Sequence, residues 1–477
     1  MAALAALITL LAIYGLYSRQ RGESEAANSP SAPGGLFQEG QARGTSLTAV
    51  GRANGLAQPC TAWLLDTGGQ ADDAAHAVTT ARCVGVADSA SVLSEQPTPG
   101  AEVQFNTFAS LTSAARVEPV VAPVEQVVWA SAVDTDLAIL RLGRTYGDLE
   151  AAGVRPIAVA DPPADRAILV ASVPVEGIDV AEQHLRGGRC SLGESTAVGE
   201  SVWLWPALSA SDCDGILGGS IGAPAFNPAG QAVGIVTTTT IAAPEGPDCS
   251  AGRPCEVSDG SVTVKADTTY LLGVADLARC FSDGRLDLAG SCRLPDADSA
   301  VPARALSPAG RPGGTLPVAV DVTDPADLEA KSGPIGRVEC ADPDDWDAAE
   351  VGPDGSVEVP LPERAGPALV CVGSASRSTA ILVQVDGTPP DAGAIELEQT
   401  EVAGGISVSP IPDPPELVSF EWVSGPEGTI DCATAEGYAP YPGSPAVIPA
   451  ADLPSTVCVI GIDEAGNRSA PASITVG

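Results

Sequence analysis

The sequence predicts a mainly β chain of about three folded units, preceded by an N-terminal hydrophobic helix. Three observations carry this reading. A chain of 477 residues is too long to close around one core. Its apolar residues come in short runs, at 62–65, 137–142, 167–173, 201–205 and 232–239, bounded by residues that favour turns. Its 12 cysteines fall into neighbouring pairs along the chain, as in an oxidised, extracytoplasmic protein. The hydrophobic content of 44% is that of a globular protein, and the formal net charge is −37. So acidic a chain disfavours nucleic acid and anionic membrane surfaces as partners, and the charge itself reads as a solvated surface.

Residues 2–17 form an uncharged apolar run, followed by Arg19 and Arg21. The run is shorter than the ~20 residues of a spanning helix but long enough for a signal-peptide core, so 1–21 reads as a signal peptide or a membrane anchor. The positive-inside rule would leave the two arginines in the cytoplasm. Twelve paired cysteines outweigh that, and place the rest of the chain outside it: secreted, periplasmic, or tethered to the membrane by this segment alone. Residues 22–43, rich in Ser, Pro, Gly, Ala and Glu, read as a flexible tether.

Three segments then carry a pattern. They are Val78-Thr79-Thr80-Ala81-Arg82-Cys83, Asp134-Thr135-Asp136-Leu137-Ala138-Ile139-Leu140-Arg141-Leu142, and Gly219-Ser220-Ile221-Gly222-Ala223-Pro224 followed by Gly230-Gln231-Ala232-Val233-Gly234-Ile235-Val236. In this order and spacing they resemble the histidine, aspartate and nucleophile segments of the trypsin-like serine peptidases. That family writes them Val-Thr-Ala-Ala-His-Cys, Asp-Ile-Ala-Leu-Leu-Lys-Leu and Gly-x-Ser-Gly-x-Pro. The resemblance covers roughly residues 44–282. It implies a chymotrypsin-like double β-barrel within a domain at 44–292, with barrels near 44–145 and 155–278. It also implies a C-terminal helix, which the spacing of Leu271, Leu272, Val274, Ala275 and Leu277 places at 270–281.

The catalytic triad that the resemblance implies is degenerate. Asp136 fits the aspartate, but Arg82 fills the histidine slot and Ile221 the serine slot. A guanidinium stays protonated at any working pH and cannot act as the base. Isoleucine has no nucleophile, whereas the chemistry needs a hydroxyl, a base and an orienting carboxylate. Arg82 and Asp136 are suited instead to an ion pair. A one-residue shift of the turn would make Ser220 the nucleophile, although the regular Gly-x-x-Gly-x-Pro frame argues against it. His76 and His184 read as ordinary surface histidines. Gly219 stands where the family has its oxyanion-hole glycine, and Val236, Thr237, Thr238 and Thr239 stand on the strand that pairs with a substrate backbone. A groove of this kind without a nucleophile would bind a peptide by strand addition.

The disulfide that braces the family's histidine loop implies Cys60 with Cys83. Clustering pairs Cys190 with Cys213, Cys249 with Cys255, Cys280 with Cys292, Cys340 with Cys371, and Cys432 with Cys458. With two histidines and no Cys-x-x-Cys spacing, neither metal nor cofactor is expected.

Residues 293–313 read as a linker. Beyond it, Cys371-Val372-Gly373, Arg377-Ser378 and Ile381-Leu382-Val383 recur as Cys458-Val459-Ile460-Gly461, Arg468-Ser469 and Ile474-Thr475-Val476. Alternating strands with one cysteine pair per copy point to two immunoglobulin-like β-sandwiches, at 314–386 and 387–477. Asp342, Asp344, Asp345 and Asp347 surround Trp346 but lack the glycine and closing glutamate of a calcium loop, so they read as a solvated loop. Asn467-Arg468-Ser469 matches a glycosylation sequon. The sequence leans against an enzyme and towards an exported, inactive peptidase homologue that binds an unidentified protein or peptide. An active endopeptidase with another nucleophile and a structural envelope protein remain the alternatives.

Overall fold

A computed structural model describes residues 35–477, apart from 39–41, 110–117, 245, 259–260, 297, 323–326, 375, 392–394, 413–416 and 443–444. The apolar segment 1–21 lies outside the described residues. Among those described, no helix is long and apolar enough to cross a membrane.

Strands β1 (Val50–Asn54), β2 (Cys60–Leu65), β3 (Ala74–Thr79), β4 (Glu102–Phe105), β5 (Val120–Ser131) and β6 (Leu137–Thr145) close a first barrel in the order β1-β2-β3-β6-β5-β4. Every residue of β2 is buried, as its unbroken apolar run requires. Two irregularities between β5 and β6 help the sheet curl shut. A second barrel is built from β7 (Ala167–Ser172), β8 (Arg186–Glu200), β9 (Trp203–Ser211), β10 (Pro224–Phe226), β11 (Ala232–Thr239) and β12 (Thr269–Gly273). It closes in the order β7-β8-β9-β12-β11-β10. Strand β11 runs over the residues that the sequence marks.

The expected helix at 270–281 is corrected. Residues 269–273 are β12, and only Ala275–Cys280 coils, as a 3-10 helix. Tyr270 packs with Trp205 and Leu208 while Leu271 packs with Val233 and Val236, so neighbouring residues fill different clusters as a strand demands. In so short a run, helical and alternating spacing coincide.

The tether is corrected at its end. Gly35–Leu36 pairs with β8, and the Phe37 N–H donates to Leu185 O at 3.0 Å. Gly187 makes room, because a Cβ there would stand 2.8 Å from the Phe37 ring and 2.1 Å from Val170 O.

The linker is corrected as well. Val301 and Ala303 belong to the core of the first C-terminal unit, β13 (Ala303–Ala305) pairs with β14 (Thr315–Val320), and Ala309–Gly310 pairs with a later strand. That unit therefore begins near residue 300. Its two sheets are β13-β14-β16, with β16 at Ser356–Pro360, and one built on β15 (Glu329–Pro334), β17 (Gly366–Ser374) and β18 (Arg377–Val385). The second C-terminal unit also has two antiparallel sheets, around a core that includes Val408, Val457, Val459 and Val476. All six cysteine pairs are bonded as consecutive neighbours, with Cα separations between 4.5 and 6.1 Å.

Candidate functional site

The two barrels meet along a seam, and the three triad slots converge there. Arg82 opens the 3-10 turn after β3, whose next residue, Cys83, is tied to Cys60 on β2. Asp136 ends the turn before β6 and is fully buried. The Arg82 backbone N–H donates to Asp136 Oδ1 at 3.2 Å and its Nε to Oδ2 at 3.1 Å. Both carboxylate oxygens thus serve one residue, and the two side chains form an ion pair.

A second carboxylate joins them. Arg82 Nη1 donates to Glu200 Oε2 at 3.1 Å, while Glu200 Oε1 accepts the Gly252 N–H at 2.8 Å. Arg82 Nη2 donates to the Thr237 carbonyl. The guanidinium lies over Trp203 and Trp205, 5.2 and 5.1 Å from the ring centres, and those rings stack on one another. Burial alone would lower the Arg82 pKa, but Glu200 and Asp136 outweigh it and the net shift is upward. Arg82 is therefore a permanent cation held on every nitrogen. Glu200, Trp203 and Trp205 have no counterpart in the three motifs. The one signal for Glu200 is an acid alone in the apolar run 197–205.

The nucleophile turn is pinned from both sides. The Ile221 carbonyl accepts the Thr61 N–H at 2.9 Å, and the Gly222 N–H donates to Val236 O at 2.9 Å. Gly222 has φ +89°, and a Cβ there would stand 2.2 Å from Thr61 O, so only glycine fits. Ser220 is fully buried. Its hydroxyl donates to Ser172 Oγ at 3.0 Å and accepts the Leu217 N–H at 3.3 Å. The shift that would present Ser220 has not occurred, and Ile221 is the residue at the cleft.

That cleft has a volume of about 610 Å³ and runs from Arg82 and Glu200 past Ile221 to Ile216, Ile241 and Ala242. Thr238 and Thr239 line it; Gly219, Val236 and Thr237 do not. This narrows the expected groove. Gly219 keeps a positive φ of +92°, but it is buried against Val175. The N–H and carbonyl of Val236 are taken by Ala223 and Gly222, and the Thr237 carbonyl is taken by Arg82. Thr238 and Thr239 pair with Tyr270 and Thr269 on one side, and among the described residues no strand pairs with them on the other.

Neither histidine lines the cleft. His76 is not a surface residue: it sits within β3, 6% exposed, with its ring edge-on to Phe281. Burial, helped by Arg141, lowers its pKa to about 4. His184 sits in the turn before β8.

Residues 60–235 match the family model of the trypsin-like peptidase domain. This part of the chain is a trypsin-like peptidase domain. No curated protein sequence matches the chain. Among solved structures it is similar to an inactivated protease paralogue of the scabies mite, at 15% identity over 49% of this chain and 94% of that one, with a TM-score of 0.31. It is also similar to a thermostable serine protease, AL20, of an extremophilic microorganism, at 15% identity over 47% and 91%, with a TM-score of 0.28.

At the positions that the resemblance gives to the triad, then, Arg82 is a fixed cation, Ile221 is an apolar side chain, and the Asp136 carboxylate is engaged by Arg82. What remains beside them is an open, largely apolar cleft edged by a short length of unpaired strand.

Proposed function

We propose that this protein is an exported, catalytically inactive trypsin-like peptidase homologue that binds a protein or peptide in its cleft. The observation that carries the reading is the state of Arg82. A triad needs a group at that position able to take a proton from the nucleophile. Arg82 has no proton-accepting atom and donates to Asp136, Glu200 and the Thr237 carbonyl. The unpaired edge at Thr238 and Thr239 supports binding by strand addition. Six disulfides fit an oxidising compartment, which supports a place outside the cytoplasm.

The test is direct. Purified chain is incubated with mixed peptide and ester substrates and with a fluorophosphonate probe. No turnover and no labelling are expected. The variant Ile221→Ser is expected to stay inert too, because a serine facing Arg82 has nowhere to send its proton. Labelling at Ser220 that disappears in Ser220→Ala would overturn the proposal.

A further inference from the structure

We infer that the cleft takes an extended peptide that places a branched aliphatic side chain in the pocket beside Ile221 and a basic residue next to it, against Glu176. The inference rests on the binding role proposed above and adds the chemistry of the partner.

The apolar part of the pocket wall favours an aliphatic side chain. Ile216, Leu217, Ile221 and Ile241 supply branched apolar surface, and Ala242 and Ala243 keep the space between them open. A volume of about 610 Å³ lies within the range of built ligand sites. No described wall residue is aromatic. An aliphatic side chain gains by leaving water for the part of the pocket walled by Ile216, Leu217, Ile221 and Ile241, where a polar one would lose hydration.

Charge then selects the neighbour. Arg82, the one cation among the described residues that line the cleft, donates from Nε, Nη1 and Nη2 to protein acceptors and is not free for a carboxylate or phosphate. Both oxygens of Glu200 are engaged as well. Glu176 is different. It lines the cleft, is exposed, and its carboxylate has no hydrogen-bond or ion-pair partner among the described residues. It folds over the backbone of Gly218, where a Cβ would stand 2.0 Å from Glu176 Oε2. The charge that a ligand meets on entry is therefore negative, and Gly218 is the residue that lets the carboxylate lie there. The edge at Thr238 and Thr239, which no described strand pairs with on the cleft side, would align an extended segment.

The test measures fluorescence polarisation of labelled tetrapeptide amides on the full chain. The probes are Ala-Lys-Ile-Ala and Ala-Ile-Lys-Ala, with Gln or Glu in place of Lys and Ala in place of Ile. At least one Lys–Ile order is expected to bind and to be recovered uncut. Ile→Ala in the peptide should weaken binding roughly tenfold or more, the loss of one buried aliphatic side chain. Lys→Gln should weaken it about twofold to fivefold, as for an exposed ion pair. In the variant Glu176→Gln the Lys-over-Gln preference should vanish while the dependence on Ile persists. That persistence is the readout a folding defect would not give. Peptides that bind uncut with no preference for Ile, or equally with Glu and Lys, would overturn this inference and leave the inactive binding role standing. Cleaved peptides would overturn that role itself. Failure of every probe to bind would overturn the peptide chemistry inferred here, while the labelling experiment above reports separately on inactivity.

Discussion

Arg82 and His76 lie on either side of one strand end and show two ways of burying a basic group. Arg82 stays charged because two carboxylates and a carbonyl meet it. His76 stays neutral because it faces Phe281 and stands opposite Arg141 in the sheet, with Asp73 the one acid that favours its charge. The sign of the resulting pH effect follows. The folded pKa of about 4 lies below the ordinary histidine value of 6.5, so the folded state binds fewer protons than the unfolded chain between those values. The contribution is full above about pH 6.5, falls as the pH drops, and is gone below about pH 4. It amounts to at most about 3 kcal/mol. Denaturant unfolding at pH 7 and pH 4.5 should show a smaller loss for His76→Gln than for the unmodified chain. Equal losses would show that His76 is not a source of the acid sensitivity.

At the scale of elements, the acidic loop after β15 already holds a cation. Lys331, 8% exposed, donates from Nζ to the carbonyls of Asp342 and Asp344 at 2.7 and 3.1 Å and lies 4.8 Å above the Trp346 ring. Trp346 donates to the same Asp342 carbonyl. Two backbone carbonyls of the loop are thus turned towards an ammonium, and among the described residues no three carboxylates gather as a metal site would need. The melting temperature should therefore be unchanged by EDTA or by added calcium, while Lys331→Met should lower it, since hydrogen bonds to a charged group contribute about 1.5–3 kcal/mol each. A calcium-dependent rise of several degrees in the unmodified chain would contradict this account. Elements of this kind mark where the sequence was legible. β11, the cysteine pairs and the three triad segments could be read because each is local: a run of alternating residues, a short loop, a fixed string. Glu200 and Trp203 could not, because their meaning lies in Arg82, more than a hundred residues away. The strands at 303–305 and 309–310 hid behind Pro, Ala and Gly, residues that mark linkers unless a neighbouring sheet supplies the partner. The groove is narrower than the motif implies because the backbone groups of Val236 and the Thr237 carbonyl are taken by residues from other segments.

Across the whole molecule, the units are docked. Leu382 and Ile335 of the first C-terminal unit pack on the Cys249–Cys255 loop, and the Leu382 N–H donates to Val202 O at 3.1 Å. Gly199 is bare at that contact, since a Cβ would stand 2.8 Å from Leu382. Val202 and Gly199 flank Glu200, so the unit that docks here abuts the residues that hold Arg82. The second C-terminal unit is joined to the first by Asn467, whose Nδ2 donates to Asp386 O and to Asp463 Oδ2, and by Ser307 Oγ donating to Glu464 O. Asn467 is buried there. Its side-chain amide is committed to this junction, which leaves the sequon no room for a glycan.

The six short disulfide loops have a mechanical meaning. None crosses from one unit to another, and the loops in the two C-terminal units enclose 31 and 26 residues of sequence separation. Pulled from its ends, each unit can pay out only the chain outside its loop. Reduction should add about 100 Å and about 90 Å to the respective unfolding steps, at ~3.3–3.6 Å per extended residue. Single-molecule stretching with and without reductant reads those increments directly, and steps of equal length in both conditions would refute it. An oxidised chain of this construction is a tether of limited give, whose reach under load is set by the redox state around it.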